Sequence, residues 1–137
     1  MVGSVSGKNY LFLATDEPGL LVYDLSNPLH PSEIAHLKSQ DQNIHVTTFG
    51  LASGILYGGA GPLWIVDVSI PSAPKEIGNL DYTTSRIAVS GKYLYYEVDQ
   101  IDRYNHTSRS GISIVDISDP NNLQTLVVGC FRREHIN

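Results

Sequence analysis

The chain has 137 residues, of which 42% are hydrophobic and 17% charged, and its net charge is −5. That charge, with Arg132-Arg133 as the longest basic run, argues against nucleic acid as a partner, and no apolar run approaches the ~20 residues of a membrane-spanning helix. Its 12 glycines, 7 prolines and 8 tyrosines are typical of a protein built from short strands and many turns.

The first predicted elements are two strands joined by a Ser-Gly turn, and the same pattern occurs three times. It lies at residues 5–14, 51–58 and 89–96, where the second strand is rich in Leu and Tyr. Glycine fits the positive φ that a tight hairpin demands. The sequence therefore predicts three β-hairpins.

A third strand follows each hairpin and ends in an aspartate. These strands span Leu20–Leu25, Leu63–Val68 and Ile112–Ile117, and their aspartates are Asp24, Asp67 and Asp116. Each aspartate is followed by a serine two residues on and by a proline four residues on. Asp and Ser side chains hydrogen-bond backbone amides just ahead of them, and proline pre-sets φ. Because the aspartate recurs in every copy, we interpret it as a turn residue and not as a catalytic group.

A fourth strand follows each aspartate turn, at Ile34–Leu37, Ile77–Leu80 and Leu126–Gly129. Four short antiparallel strands without helical periodicity form one β-propeller blade. The sequence therefore predicts an all-β partial propeller of three four-stranded antiparallel sheets. We place the blades at about residues 1–38, 39–81 and 82–131 and expect Trp64 in the core.

The third strands resemble the LVIVD repeat. Residues 63–67 read Leu-Trp-Ile-Val-Asp, residues 112–116 read Ile-Ser-Ile-Val-Asp, and residues 20–24 read Leu-Leu-Val-Tyr-Asp. The resemblance implies a β-propeller, mostly from bacterial or archaeal surface or secreted proteins, with no catalytic residue or cofactor. WD repeats are the nearest alternative, but their Gly-His signature is absent. A cell-surface or extracellular location is an expectation from the resemblance alone. Residues 1–5 do not support it, because they lack the basic and apolar pattern of a secretory signal.

Three blades are fewer than the four to eight of typical propellers, and large exposed apolar faces are rare on soluble monomers. Two explanations stay open. The chain is a piece of a longer propeller, or two copies assemble into a symmetric six-bladed ring. In either case we expect further blades, from a longer chain or from a homo-oligomer, to close the ring.

Candidate interaction residues come from the loops expected on one face of the propeller. The longest such loop is an insertion between Glu97 and Ser110, and loops on a rigid scaffold concentrate binding residues. The candidates are Asp41 and His45 from one inter-blade loop, Tyr82 and Arg86 from the next, and Arg103, Tyr104 and His106 from the insertion. Tyr and Arg are common interface anchors. The alternative is that all seven are ordinary solvated loop residues.

A metal site in the insertion is the weaker reading of its polar residues. Asp99, Asp102 and His106 have a spacing that would align ligands on one face of a helix. The neighbouring Asn105 and Thr107 favour a loop, in which that spacing fixes no geometry. The single Cys130 excludes a multi-cysteine zinc site. We therefore predict no metal, no cofactor and no catalytic residue.

The sequence favours a non-catalytic propeller segment that serves as a scaffold for contacts with a protein or glycan partner. The alternative is part of a propeller hydrolase or lyase, whose polar side chains would converge at the channel mouth and hold a metal or polarise a substrate. Only His45 and Arg86 are expected near that mouth, which favours binding. The sequence names neither partner nor substrate.

Overall fold

The computed structural model describes residues 1–59, 62–80, 86–102 and 107–135, and these residues form β-strands and turns without a helix. The strands are β1 (Val2–Val5), β2 (Lys8–Thr15), β3 (Gly19–Asp24), β4 (Ser32–Lys38), β5 (Thr48–Ala52), β6 (Ile55–Gly59), β7 (Leu63–Asp67), β8 (Lys75–Leu80), β9 (Ile87–Ser90), β10 (Tyr93–Asp102), β11 (Thr107–Asp116) and β12 (Gln124–His135). No helix able to span a membrane is present in this described part of the chain.

The strands form three four-stranded sheets in which every strand pairs antiparallel with its neighbours along the chain. Sheet 1 contains β1–β4, sheet 2 contains β5–β8 and sheet 3 contains β9–β12. The predicted all-β fold of three four-stranded antiparallel sheets is confirmed. The division into blades at about residues 1–38, 39–81 and 82–131 stays a prediction, because three sheets alone do not define a closed ring.

Two of the three hairpins turn at the predicted Ser-Gly pair. Ser6 and Gly7 have φ of 51° and 79°, and Ser53 and Gly54 have φ of 50° and 73°. Positive φ at both central residues matches the right-handed twist of the flanking strands. The third hairpin differs, since Ser90 pairs with Tyr93 and the turn residues are therefore 91 and 92. There only the glycine has positive φ, at 58°, which is the other hairpin geometry that glycine supports.

The predicted loop between Glu97 and Ser110 is wrong over most of its length. β10 and β11 pair continuously from Tyr93 opposite Asp116 to Asp102 opposite Thr107. The ladder satisfies backbone N–H and C=O groups that a loop would leave to solvent. The insertion therefore lengthens a hairpin, and only residues 103–106 lie outside the described residues.

A β-bulge interrupts the last ladder of every sheet at the same place. Val22 pairs with Ala35 while Tyr23 pairs with Glu33, which leaves Ile34 as the extra residue. Shifts at the equivalent steps leave Ile77 extra in sheet 2 and Leu126 extra in sheet 3. Two residues then oppose one, and the strand bends locally.

The core lies in two layers, one on each side of sheet 2. We call the side of a sheet turned toward the following sheet its forward face, and the side turned toward the preceding sheet its rear face. The first layer joins the forward face of sheet 1 (Phe12, Leu20, Val22) to the rear face of sheet 2 (Leu56, Trp64, Val66). The second joins the forward face of sheet 2 (Tyr57, Leu63, Ile65) to the rear face of sheet 3 (Leu94, Tyr96, Val115).

Strand β7 is buried on both faces because its alternate residues enter different layers. Trp64 and Val66 enter the first layer and Leu63 and Ile65 the second, each at most 3% exposed. A near-continuous apolar strand is the sequence that such two-sided burial requires. Full burial of each large side chain contributes about 1.5–3 kcal/mol. The predicted core position of Trp64 is confirmed.

Candidate functional site

The segment that best meets the requirements of a binding site is the loop of residues 39–47, which joins β4 of sheet 1 to β5 of sheet 2. Its first amide, Ser39 N–H, donates to the carbonyl of Pro18 at 2.8 Å. Ile44 in its middle is 1% exposed and belongs to the first core layer. At its end, Thr47 N–H donates to the carbonyl of Gly59 at 2.9 Å. The loop is therefore anchored at three points along its length.

Asp41 braces this loop with both of its carboxylate oxygens. Oδ1 accepts hydrogen bonds from the backbone N–H and the side-chain amide of Asn43, at 2.8 and 3.0 Å. Oδ2 accepts one from the Asn79 amide on β8 at 3.3 Å. The backbone N–H of Asp41 donates to Ser39 Oγ at 3.1 Å. The predicted candidate Asp41 thus fixes the loop conformation and ties it to sheet 2.

A second link to β8 comes from the neighbouring residue. Gln40 N–H donates to Oε2 of Glu76 at 3.1 Å. Because Glu76 and Asn79 lie on the same strand, the loop is held at two positions along β8. Its backbone is therefore positioned by sheet 2 and not only by its own turn.

The braced loop presents polar side chains to solvent. Gln40, Gln42, Asn43, His45 and Thr47 are all exposed. Amide side chains both donate and accept hydrogen bonds, and a neutral imidazole does the same through its two nitrogens. The predicted candidate His45 is one of these exposed groups. Sequence reasoning missed Gln42 and Asn43, although the polar run between two predicted strands was their signal.

A groove of about 360 Å³ adjoins the end of this loop. It is lined by Met1, Phe12, Leu13, Ala14, Val46, Thr47, Thr48 and Phe49. The groove therefore places aromatic and aliphatic surface beside the hydroxyls of Thr47 and Thr48. Its size falls at the lower end of the range for ligand clefts, about 300–1,000 Å³.

A larger groove, of about 580 Å³, runs between β1 and β5 toward the hairpin turns. Its polar lining includes the hydroxyl residues Ser4, Ser6, Ser53 and Ser69. Its other lining residues among those that the structure describes are Met1, Gly3, Val5, Leu51 and Gly54. It offers hydroxyl groups, of which that of Ser69 donates to the carboxylate of Asp67 at 2.6 Å.

The three motif aspartates form turns, as predicted. In each turn, Oδ1 of the aspartate accepts two hydrogen bonds from the serine two residues on. The backbone N–H donates at 2.7 Å in Ser26, 2.9 Å in Ser69 and 2.9 Å in Ser118. The hydroxyls of the same serines donate at 2.5, 2.6 and 2.5 Å to Asp24, Asp67 and Asp116. The serine hydroxyl first, and then the serine amide, lower the pKa of each carboxyl group below its ordinary value. The carboxylates are thus held ionised by their own turns.

The residue after each aspartate fastens the turn to the hairpin of the same sheet. Backbone N–H groups of Leu25, Val68 and Ile117 donate to the carbonyls of Asn9, Gly54 and Lys92 at 3.1, 2.8 and 2.9 Å. A further turn spans each proline, closed by hydrogen bonds of 2.9–3.0 Å from His30 to Asn27, Ala73 to Ile70 and Asn122 to Asp119. The repeated motif is thus a structural unit.

Of the five remaining candidates, only Arg86 is among the described residues, so the structure does not show a site formed by these candidates. Arg86 lies just before β9, where its carbonyl accepts from Glu97 N–H at 3.4 Å. Tyr82, Arg103, Tyr104 and His106 lie outside the described residues, and their roles stay predictions. Within the ranges that the structure covers, no three His, Cys, Asp or Glu side chains are grouped to hold a metal ion.

The pattern of the LVIVD repeat matches the chain in four segments, at residues 4–38, 58–82, 83–99 and 107–127, which together exceed half of its length. A search of curated proteins finds no match. Residues 39–57 and 100–106 fall between the matched segments. The first of these gaps contains the whole braced loop together with β5 and most of β6.

Proposed function

Because the chain belongs to the LVIVD repeat family, we propose that it is a non-catalytic interaction scaffold that binds a protein or glycan partner through the loop of residues 39–47. The observation that carries this proposal is the position of the loop outside the matched repeat segments, combined with its anchoring to both sheets. Binding residues concentrate on loops that a rigid scaffold positions.

The bracing of the loop supports a role in binding. A loop that is already ordered loses less conformational entropy when a partner binds, so more of the contact energy appears as affinity. The carboxylate of Asp41 accepts hydrogen bonds from Asn43 and Asn79. In this proposal Asp41 positions the loop, and Gln42 and His45 contact the partner.

The chemistry of the surface indicates the kind of partner. The same surface has exposed amide and imidazole groups and a groove that contains Leu13, Phe49 and two threonine hydroxyls. Such a surface combines hydrogen bonding in both directions with a small apolar floor, which suits a hydroxyl-rich glycan or an extended polar peptide. A cell-surface or secreted setting is part of the proposal and rests on the family resemblance alone.

The test uses the whole chain, labelled, on a glycan array and against a displayed peptide library. A Gln42→Ala/His45→Ala variant removes two exposed contact groups, and His30→Ala, another exposed histidine in a distant turn, is the matched control. We expect the loop variant to lose at least about tenfold in affinity for any selected ligand, as loss of a binding contact of about 1.4 kcal/mol implies. Equal binding by the loop variant would refute the assignment of this loop.

A further inference from the structure

Side chains at equivalent positions of the three repeats lie on the same face of their sheets. The strand register therefore also shows which residues form the forward face of sheet 3 and the rear face of sheet 1. Aligned on the motif aspartates, Leu20 and Val22 of β3 correspond to Leu63 and Ile65 of β7 and to Ile112 and Ile114 of β11. The first two pairs lie on forward faces and pack on the next sheet. By the same register, Ile112 and Ile114 form the forward face of sheet 3.

The forward face of sheet 3 has no sheet packed on it in the described part of the chain. Ile112 is 46% exposed and Leu126 is 51% exposed, and Tyr95 stands beside them on this face. Leu126 is the bulge residue equivalent to Ile34 and Ile77, which both pack into core layers. Residues that are covered in sheets 1 and 2 are therefore open in sheet 3.

The rear face of sheet 1 shows the complementary pattern. Leu11, Leu21 and Tyr23 correspond by register to Leu56, Trp64 and Val66, which form the covered rear face of sheet 2. On this open face Val2 is 60% exposed and Leu13 is 39% exposed. Four of the seven exposed large hydrophobic side chains of the described residues, Val2, Leu13, Ile112 and Leu126, thus lie on the two end faces.

The two junctions inside the chain define what each open face fits. In both, a forward face packs on a rear face. At the second junction, Gly50 of β5 touches Val89 of β9. By strand register, Ala88 of sheet 3 corresponds to Gly50, and Val2 of sheet 1 corresponds to Val89. A sheet docked on sheet 3 would therefore present a rear face like that of sheet 1, with its Val2 against Ala88.

We propose that a second copy of this chain occupies both faces, head to tail, so that the forward face of sheet 3 in each copy packs on the rear face of sheet 1 in the other. A partner that covers both faces needs a rear face for sheet 3 and a forward face for sheet 1, and this chain carries both. Two copies give six sheets, within the four to eight blades of closed propellers. Such a ring has two-fold symmetry about its channel, and closed symmetry is the usual form of homo-oligomers.

The first experiment measures the mass of the whole chain by light scattering across a dilution series. We expect a species of twice 15.0 kDa for the wild type. Ile112→Glu breaks only the forward face, Val2→Glu breaks only the rear face, and Leu29→Glu is the control because Leu29 is 85% exposed in a turn. Both face variants should be monomeric and the control dimeric. An equimolar mixture of the two face variants should recover dimer, because one junction then has both faces intact.

Other patterns overturn the proposal. A wild type that stays monomeric up to high micromolar concentration excludes the second copy and leaves another polypeptide as the occupant. Loss of dimer in only one face variant indicates that like faces pair with each other. A growing series of larger species indicates open polymers in place of a two-copy ring. Circular dichroism of each variant verifies that the exposed substitutions leave the fold intact.

A second experiment does not depend on disruptive substitutions. In a Cys130→Ser background, single-cysteine chains carry either Ala88→Cys or Val2→Cys. Each chain is oxidised alone, and a mixture of the two reduced chains is oxidised as the third sample. The internal equivalent of this pair has a Cβ–Cβ separation of 3.3 Å, measured from a Cβ placed on Gly50 to that of Val89, close to the ~3.5–4.5 Å of disulfides. We expect cross-linked dimer only in the mixture. Cross-linking of either chain alone, or none in the mixture, contradicts head-to-tail docking.

Discussion

Gly50 of β5 lies directly against Val89 of β9, at the junction between sheets 2 and 3. A Cβ placed on Gly50 would overlap the Cγ2 methyl of Val89 and would lie 3.3 Å from its Cβ. The close approach of β5 and β9 therefore depends on the missing side chain of Gly50. The backbone of β5 thus admits Val89 to the edge of the apolar layer that sheets 2 and 3 share.

Gly50→Ala is expected to destabilise the fold by about 1–3 kcal/mol, the usual cost of overpacking a core. Val89→Ala in the same chain should restore part of this loss, since it removes the methyl groups that the new Cβ meets. Gly78→Ala is the control, because a Cβ there meets no atom within 4 Å. Urea unfolding of the four chains measures these differences. Equal loss in the Gly78 and Gly50 variants would point to the strand backbone and not to the junction.

Asp41→Ala is expected to loosen the loop of residues 39–47 while the sheets keep their stability. The substitution leaves the Asn43 and Asn79 amides without their acceptor. Hydrogen exchange of the Asn43 and Ile44 amides should accelerate at least about tenfold, as loss of about 1.4 kcal/mol of local stability implies. Amides of β7 should not change. Unchanged exchange in the loop would show that the Ser39 and Thr47 anchors suffice.

Trp64→Phe is expected to cost far less stability than Trp64→Ala. Trp64 is fully buried, and its indole Nε1 has no hydrogen-bond partner among the described residues. Truncation to alanine opens a cavity in the first layer and should cost about 3–5 kcal/mol. Phenylalanine also removes the unpaired donor, whose burial costs about 1–3 kcal/mol, so its stability should stay within about 1 kcal/mol of the wild type. Urea unfolding followed by circular dichroism gives both values, and a large loss with phenylalanine would imply that Nε1 bonds a buried water.

Stability is expected to fall in alkali because of Tyr57. Burial raises the pKa of its phenol from an ordinary value near 10 to about 12. Folding favours the neutral phenol of Tyr57. Its contribution to the free energy of unfolding is therefore complete below pH 10 and is lost as the pH rises toward 12. The slope is at most about 1.4 kcal/mol per pH unit for one proton. Thermal unfolding of Tyr57→Phe should show a weaker decline than wild type across this window, and a Tyr23→Phe control should match wild type.

Stability is expected to fall in acid because of the aspartate turns. Hydrogen bonds from the Ser69 hydroxyl and amide lower the pKa of Asp67, so the ionised form is favoured by folding. This contribution is present above the unfolded value near 4 and is lost as the pH falls through the lower folded value. Asp67→Asn should therefore be less stable than wild type at pH 7, with the difference shrinking at pH 3. Asp16→Asn is the exposed control, and a difference that persists at pH 3 would exclude ionisation as its cause.

The turns and sheets could be predicted from the sequence because their causes are local. An Asp-x-Ser segment closes its own hydrogen bonds within three residues, so three copies predict three turns wherever the chain goes. Serine-glycine pairs fix two hairpins in the same way. The third hairpin shifted by one residue because Gly91 supports a turn that begins with it as well as one that ends with it.

The bulges, the long hairpin and the loop anchors could not be predicted, because each depends on distant strands. Ile34 and Ala35 are both apolar, so their pattern does not show which one the ladder skips. The polar run after Glu97 is typical of a loop, yet β11 offers it a continuous partner. Asp41 meets Asn79 across 38 residues, a contact that only the packing of loop against sheet creates.

The pairing of strands only with chain neighbours sets the order in which surfaces are covered during synthesis. Sheet 1 can complete its ladders once residue 38 has left the ribosome, but Phe12 and Val22 then remain exposed until β5–β8 have followed. Each completed sheet therefore has one exposed apolar face until the next repeat has been synthesised and packs on it. Nascent chains that stall between repeats would be the forms most prone to aggregation and to capture by chaperones.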